Sequence, residues 1–302
     1  MRKIIVVGGV AGGATCAARL RRLDEQAEII MLERGPYVSF ANCGLPYYVG
    51  EVIREESKLL QATPELFRQR FRIDVRTQHE ALRIDRENRE LVIRDLVSGE
   101  EYRESYDALV LSPGASPIMP PLEGIGLPGI FTVRTVPDSE QIRDWIERHN
   151  ARRAVVIGGG FIGLEMVENL AHRGLEVTLI EAADQVMPPL DAEMAEYVRQ
   201  RLSAHIANIR LGDAVAGFEK DSHGGLLVKT KSGLRFGADL VILSIGVRPE
   251  TKLAREAGLE TGARGGIRVD GRMRTSDPHI WAVGDAVEVK NAITGEWHLC
   301  PL

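Results

Sequence analysis

The chain says nearly the same thing twice, and that repetition limits its fold more than any other feature. The first copy runs Ile4-Ile5-Val6-Val7, then Gly8-Gly9-Val10-Ala11-Gly12-Gly13, then a helical stretch, then Ile29-Ile30-Met31-Leu32 and Glu33. The second runs Ala154-Val155-Val156-Ile157, then Gly158-Gly159-Gly160-Phe161-Ile162-Gly163, a helical stretch, and Val177-Thr178-Leu179-Ile180 with Glu181. Each reads as strand, glycine turn, helix, strand and acid. The copies also close alike, on Tyr106-Asp107-Ala108-Leu109-Val110-Leu111-Ser112-Pro113-Gly114 and on Ala238-Asp239-Leu240-Val241-Ile242-Leu243-Ser244-Ile245-Gly246. Continuous apolar runs of this kind suit strands covered on both faces.

This order of pieces has a chemical use. The first glycine permits a tight turn, the second lets backbone approach a pyrophosphate, and the third lets helix pack on strand, while the helix start offers free N–H groups. An acid about 20 residues further on accepts hydrogen bonds from ribose hydroxyls. Glu33 follows Gly13 by 20 residues and Glu181 follows Gly163 by 18. Ordinary turns account for each glycine singly, but not for two acids at matched distances. The pattern therefore predicts an α/β fold of two doubly wound, Rossmann-like dinucleotide-binding domains. The first copy departs at one place, where Val10 stands in the middle glycine position. In the second copy Glu181 repels a 2′-phosphate, and Ala182-Ala183 supply no arginine to receive one, which favours NADH over NADPH.

With 302 residues, the chain is long enough for two domains with ample cores. Its formal net charge of −5 provides no overall positive field for nucleic acid or an anionic membrane. Three cysteines without framework spacing fit a reducing compartment, and the expected location is cytoplasmic. Met1-Arg2-Lys3 before an apolar run imitates a signal peptide, but Gly8-Gly9 stops the run and marks a strand entering a turn. No stretch approaches the ~18 apolar residues that cross a bilayer. Seven scattered histidines form no ligand pair, so no metal is expected.

Directly after the first acid comes Ser39-Phe40-Ala41-Asn42-Cys43-Gly44-Leu45-Pro46-Tyr47-Tyr48. With the first glycine turn, this segment resembles the single-cysteine branch of the pyridine nucleotide-disulfide oxidoreductases. Within that branch it looks most like coenzyme A-disulfide reductases and NADH-dependent persulfide reductases. The likeness runs on through Ser112-Pro113-Gly114-Ala115 and Thr275-Ser276-Asp277-Pro278 to Ala282-Val283-Gly284-Asp285. It implies a discontinuous FAD-binding domain over 1–117 and 247–302 and an NADH-binding domain over 118–246. FAD would lie against Gly8 to Gly13, Glu33, Arg34, Ser112, Pro113, Gly114, Gly284 and Asp285, with Glu33 at the ribose and Asp285 at the ribityl chain. NADH would lie against Gly158, Gly160, Phe161, Ile162, Gly163, Glu165, Glu181 and Gly246. Phe161 falls where the family places an aromatic that covers the flavin until nicotinamide displaces it, with Glu165 one helical turn beyond.

The resemblance makes Cys43 the redox centre. The thiolate is the reactive form of a cysteine, free N–H groups at a helix start favour it, and Pro46 is compatible with a helix beginning nearby. A two-cysteine reductase carries its second cysteine five positions later, where this chain has Tyr48, so Cys43 works alone on a small thiol, disulfide or persulfide. Relatives that reduce peroxide or oxygen through a sulfenic acid carry a histidine where this chain has Ala11. On the first helix Thr15, Arg19 and Arg22 share a polar face, which the resemblance assigns, with Ser39 and Asn42, to coenzyme A as substrate or mixed-disulfide adduct. Cys16, Leu20 and Leu23 are expected to face the core, and Cys300 has no second thiol at ligand or CxxC spacing.

The expected activity is electron transfer from NADH through FAD to Cys43, reducing coenzyme A disulfide or low-molecular-weight persulfides. The alternatives are an NADH oxidase or electron-carrier reductase that does not use Cys43, and a non-catalytic redox-sensing flavoprotein. Family members are homodimers that continue into an interface domain supplying tyrosines near the partner's thiol. This chain stops 17 residues past Asp285, and that domain is expected to be absent from it.

Overall fold

A computed structural model describes residues 1–206, 208–221 and 224–299. Cys300 lies outside the described residues. The helices are α1 (Ala11–Leu23), α2 (Leu45–Val49), α3 (Pro64–Phe71), α4 (Val136–Arg148), α5 (Phe161–His172), α6 (Ala192–Ser203) and α7 (Lys252–Glu256). The chain divides into two compact units, the first made of 1–40, 60–116 and 248–302, the second of 41–59 and 117–247.

In the first unit the apolar runs become a five-stranded sheet in the order Ile280–Ala282, Ala108–Leu111, Lys3–Val7, Glu28–Glu33, Asp74–Thr77, paired in parallel throughout. Ile4 faces Ile29 on one side and Ala108 on the other. Successive side chains point to opposite faces of a strand. Ile5, Ile30 and Leu109 accordingly pack with Ile84, Leu91 and Ile93 of an antiparallel three-stranded sheet (His79–Asp85, Glu90–Asp95, Glu101–Ser105). Ile4, Val6, Ile29 and Met31 pack on the other side with Ala14 and Ala17 of α1 and Phe67 of α3. Each of the large aliphatic and phenylalanine side chains among them, fully buried, stabilises the unit by about 1.5–3 kcal/mol relative to exposure.

The second unit repeats the plan. Its parallel sheet runs Asn208–Arg210, Glu176–Ile180, Arg153–Ile157, Leu240–Leu243, Ile130–Phe131, with Ala154 opposite Val177 and Leu240. Val155, Ile157, Val241 and Leu243 pack with Phe218 and Val228 of a second antiparallel three-stranded sheet. The duplication thus extends to a further parallel strand and an antiparallel three-stranded sheet between the acid and the closing strand.

One helix face differs from expectation. The buried residues of α1 are Gly13, Ala14, Ala17 and Arg21, whereas Cys16 and Leu20 are half-buried and Leu23 is 67% exposed. Small side chains let the helix approach the sheet closely. Arg21 is tolerated inside because its guanidinium donates to the carbonyls of Phe71, Asp24, Glu25 and Arg72 at 2.7–3.1 Å. Among the described residues no helix is long and apolar enough to cross a membrane.

Candidate functional site

Both glycine turns are built to the same plan. Gly8 has φ +98° and Gly158 φ +107°, a region open to glycine and costly for other residues. A Cβ on Gly8 would lie 2.0 Å from the Ser112 carbonyl oxygen, and one on Gly158 would lie 2.3 Å from that of Ser244. The third glycine makes the helix contact: a Cβ on Gly13 would stand 1.8 Å from the Gly8 oxygen, and on Gly163 1.9 Å from the Gly158 oxygen. The middle position is different. Gly160 has φ −82°, and nothing lies within 4 Å of where its Cβ would be; Val10 adopts φ −96° in the same place. Backbone geometry does not demand glycine there, which explains how the first copy holds valine.

Beyond each turn a helix begins with no side chain capping it, α1 after Val10 and α5 after Gly160. Neither has an acid in its first turn, so the free N–H groups and partial positive charge remain available to an anion. Ser112 and Gly284 close on α1 from the side: a Cβ on Gly12 would lie 2.6 Å from Ser112 Oγ and 3.6 Å from Gly284 Cα. Gly114 and Gly284 have φ +72° and +78°, and the half-buried Asp285 follows in a short 3-10 turn. In the second unit Gly246 has φ +111°, and Phe161 and Ile162 are exposed at the start of α5.

The two acids occupy equivalent places. Glu33 accepts N–H bonds from Gly9 and Gly35, each 2.8 Å, and Glu181 accepts from Gly159 at 2.5 Å and Ala183 at 2.7 Å. Each carboxylate therefore ties the glycine turn to the chain leaving the strand. Its remaining lone pairs can still accept from ribose hydroxyls. Arg34 beside Glu33 is exposed.

Sequence reasoning missed a further matched pair. Ser39, at φ +46°, donates its N–H to the Gly9 carbonyl at 2.8 Å, and Met187, at φ +49°, donates to the Gly159 carbonyl at 2.8 Å. Each stands six residues after its acid and follows a buried valine, Val38 or Val186. That shared spacing was the available signal.

Cys43 lies in a 3-10 turn, Asn42–Gly44, that leads into the five-residue α2, and both Asn42 and Cys43 are exposed. This arm belongs to the second compact unit. It is held at several points. Tyr48 is buried with the Arg143 guanidinium 4.2 Å from its ring centroid, Arg173 reaches the Val49 carbonyl at 3.2 Å and Glu51 at 2.9 Å, and His172 Nδ1 is 3.2 Å from the Gly50 carbonyl. A Cβ on Gly50 would lie 2.4 Å from Asn169 Oδ1. Burial raises the Glu165 carboxyl above its usual range, and the charge of Glu165 is the main influence raising the Tyr47 phenol. Burial pushes the Cys16 thiol up. Thr15, Arg19 and Arg22 are all exposed along α1. Among the described residues, no three of His, Cys, Asp or Glu cluster as metal ligands do.

Comparison with known proteins agrees with this geometry. The family profile described as pyridine nucleotide-disulphide oxidoreductase matches residues 2–298. The coenzyme A disulfide reductase of Staphylococcus haemolyticus (strain JCSC1435) is 37% identical over 289 residues, covering 95% of this chain and 63% of that protein. The crystal structure of reduced CoADR-RHD from Bacillus anthracis is 52% identical with a TM-score of 0.96, covering 100% of this chain and 54% of that one. A NAD-dependent persulfide reductase from A. fulgidus is 39% identical with a TM-score of 0.95, covering 99% of this chain and 56% of that one. The chain spans less than two thirds of the length of these relatives. Duplicated dinucleotide frames and a profile match over nearly every residue lead to one conclusion: the chain belongs to the pyridine nucleotide-disulphide oxidoreductase family.

Proposed function

We propose that this protein is an FAD-containing, NADH-dependent reductase that acts through Cys43 on coenzyme A disulfide or on coenzyme A and other low-molecular-weight persulfides. The observation that carries the reading is the solitary exposed thiol of Cys43, on an arm whose second-cysteine position is taken by the buried Tyr48. A thiol so placed has no second cysteine nearby in sequence and is open to exchange with a disulfide or persulfide from outside.

The residues present fit the two cofactors. In the first unit the uncapped start of α1, the close approach of Ser112 and Gly284 to Gly12, and the free lone pairs of Glu33 suit FAD. Gly8 to Gly13 would hold the pyrophosphate, Glu33 and Arg34 the adenosine side, Ser112, Pro113 and Gly114 the returning chain, and Gly284 with Asp285 the ribityl end. In the second unit the empty space beside Gly160 suits a pyrophosphate, with Gly158, Gly163, Phe161, Ile162, Glu165 and Gly246 around NADH. Glu181 disfavours a 2′-phosphate there. FAD, when bound, supplies two-electron transfer between nicotinamide and sulfur.

The chain's own step is thiol–disulfide exchange. Cys43 thiolate attacks one sulfur of a disulfide, the Cys43–S–S–R bond forms as the substrate S–S bond breaks, and the second sulfur leaves as a thiolate that takes a proton from water. Two electrons originating in NADH restore the Cys43 thiol and release the other thiol. Arg19 and Arg22, exposed on one face with Thr15, and Ser39 with Asn42 are assigned to the phosphates and amides of coenzyme A. Pairing with a second copy belongs to the same proposal. The test is Cys43→Ser: disulfide or persulfide turnover is abolished while NADH-to-dye electron transfer persists. Retained disulfide turnover refutes the reading and favours a reductase or oxidase that bypasses Cys43.

A further inference from the structure

The arm that carries Cys43 is built from pieces too short to hold their own shape. Its ends meet, with Ala41 donating its N–H to the Leu59 carbonyl at 2.8 Å. Between them lie the 3-10 turns Asn42–Gly44 and Glu56–Lys58 and the five-residue α2. Helices of this length do not persist alone, so the path of the arm is set by what it docks on. Leu45, Tyr48, Val49 and Leu59 are buried there, but apolar burial is non-directional and does not by itself fix where the exposed thiol stands.

Direction comes from two arginines of the same unit. Arg143 on α4 meets the arm three times: its guanidinium lies 4.2 Å from the Tyr48 ring centroid, its Nη1 donates to the Arg54 carbonyl at 3.4 Å, and its Nη2 is 3.9 Å from Glu51 Oε1. Arg173, at the end of α5, donates to the Val49 carbonyl at 3.2 Å and pairs with the same Glu51 Oε1 at 2.9 Å. One carboxylate oxygen of the arm therefore meets a cation from each helix. Glu51 itself is left-handed, at φ +61°, a conformation that a residue with a side chain keeps only where its surroundings impose it. The Arg173 side chain is 10% exposed and that of Arg143 19%, so both guanidinium groups are largely withdrawn from water and spend their donors on the arm.

We infer that Glu51, Arg143 and Arg173 are positioning residues for Cys43, a clamp that fixes the arm on α4 and α5 and with it the place of the sulfur. The inference rests on Cys43 being the reactive sulfur. Without the clamp the thiol is still present, but the arm can shift on its apolar seat. Misplacing a reacting atom by about 1 Å can cost about 10²-fold in rate. Electron transfer from NADH to a dye does not use Cys43 and is indifferent to such a shift.

The test joins limited proteolysis to a ratio of activities. Trypsin cuts after Arg54 and Lys58 only when the arm opens, and the Arg54 carbonyl is itself held by Arg143. Glu51→Gln keeps Arg173 paired with Glu147, 3.0 Å away, so no buried charge is orphaned and the fold is preserved. It should be cut in the arm about two- to fivefold faster, the effect of one partly exposed ion pair on an opening equilibrium. Arg143→Met keeps an apolar stem over Tyr48 but loses the cation, and its arm should be cut about tenfold faster. Cutting elsewhere in the second unit stays at the wild-type rate. In both variants kcat with coenzyme A disulfide, divided by kcat for NADH-to-dye transfer, falls at least about fivefold, with KM for NADH unchanged. An arm cut no faster than in wild type overturns the inference, as does acceleration spread equally over the unit. A looser arm with an unmoved activity ratio overturns it too, because the contacts are then structural alone. Failure of the reductase reading is separate: it shows as disulfide turnover retained in Cys43→Ser, and the proteolysis does not depend on it.

Discussion

Alanine at Gly163 and alanine at Gly160, less than one helical turn apart, should fail in different ways. At Gly163 the new Cβ lands 1.9 Å from the Gly158 oxygen and 2.7 Å from Ser244 Oγ, where contacts below 3.0 Å do not persist. The helix must therefore back away from the turn by about 1 Å. Neither neighbour can yield cheaply, since Ser244 Oγ is bonded to the Ile157 carbonyl at 2.9 Å and the Gly158 carbonyl at 3.2 Å. Overpacking costs about 1–3 kcal/mol, here at the upper end because backbone must move, and alanine returns about 1 kcal/mol of helix propensity. The net loss is about 2 kcal/mol. At an m of about 2–3 kcal/mol/M this lowers the urea midpoint of the second unit by roughly 0.7–1 M. Trp145 lies in that unit, so its fluorescence reports the transition. Gly160→Ala meets no atom within 4 Å and should leave the midpoint unchanged, while its methyl fills space assigned to the pyrophosphate and raises KM for NADH severalfold in dye reduction. A Gly163→Ala protein as stable as wild type, or a Gly160→Ala protein that loses stability and keeps its KM, refutes this account of the turn.

Two other outcomes follow from side chains. Glu181→Ala combined with Ala182→Arg removes the carboxylate that accepts from Gly159 and Ala183 and supplies a guanidinium for a 2′-phosphate; the ratio of kcat/KM for NADPH over NADH should rise by at least about tenfold, and an unchanged ratio places adenosine recognition elsewhere. Glu140 is held above the usual carboxyl range by burial and by its hydrogen bond with Glu56, so the folded state binds the proton more tightly than the unfolded chain. The stability this contributes is complete below the unfolded value of about 4.3 and falls as pH rises through the raised folded value. Glu140→Gln should therefore have the higher urea midpoint at neutral pH, with a margin over wild type that shrinks toward pH ~4; a margin that grows on acidification reverses the sign and rejects the pairing.

The frame of the two units was legible because its demands are local. A residue at φ near +100° that touches a carbonyl must be glycine, and an acid ending the next strand stands at a distance set by one helix and one strand. Burial on both faces likewise wrote itself into Ile4 to Val7 and Val155 to Ile157. What could not be read depends on partners far away in the chain. Nothing in residues 41–59 announces Arg143, Asn169, His172 and Arg173, which hold the Cys43 arm across roughly a hundred residues. The periodicity of α1 misled for another reason. Apolar side chains at Cys16, Leu20 and Leu23 outweighed alanines and an arginine in the pattern, yet close helix–sheet packing favours small residues, and Arg21 is buried by hydrogen bonding that hydropathy does not see.

The matched positions also show where the two units diverge and why. Val10 and Gly160 both have negative φ, −96° and −82°, and Ser39 and Met187 both have positive φ, +46° and +49°, so φ does not dictate the different side chains. Arg34 and Ala182 likewise follow acids with equivalent hydrogen bonds. A left-handed serine or methionine costs about 1–2 kcal/mol that glycine would relieve, yet both copies retain a side chain there. The backbone N–H bond to the glycine turn survives substitution by glycine, so the bond alone does not explain the retention. What glycine would remove is the side chain itself, and Met187 is buried. The shared backbone frame therefore repeats in both units, and these three pairs, all beside the turn and none in the sheet, are places where the two copies part in side chain.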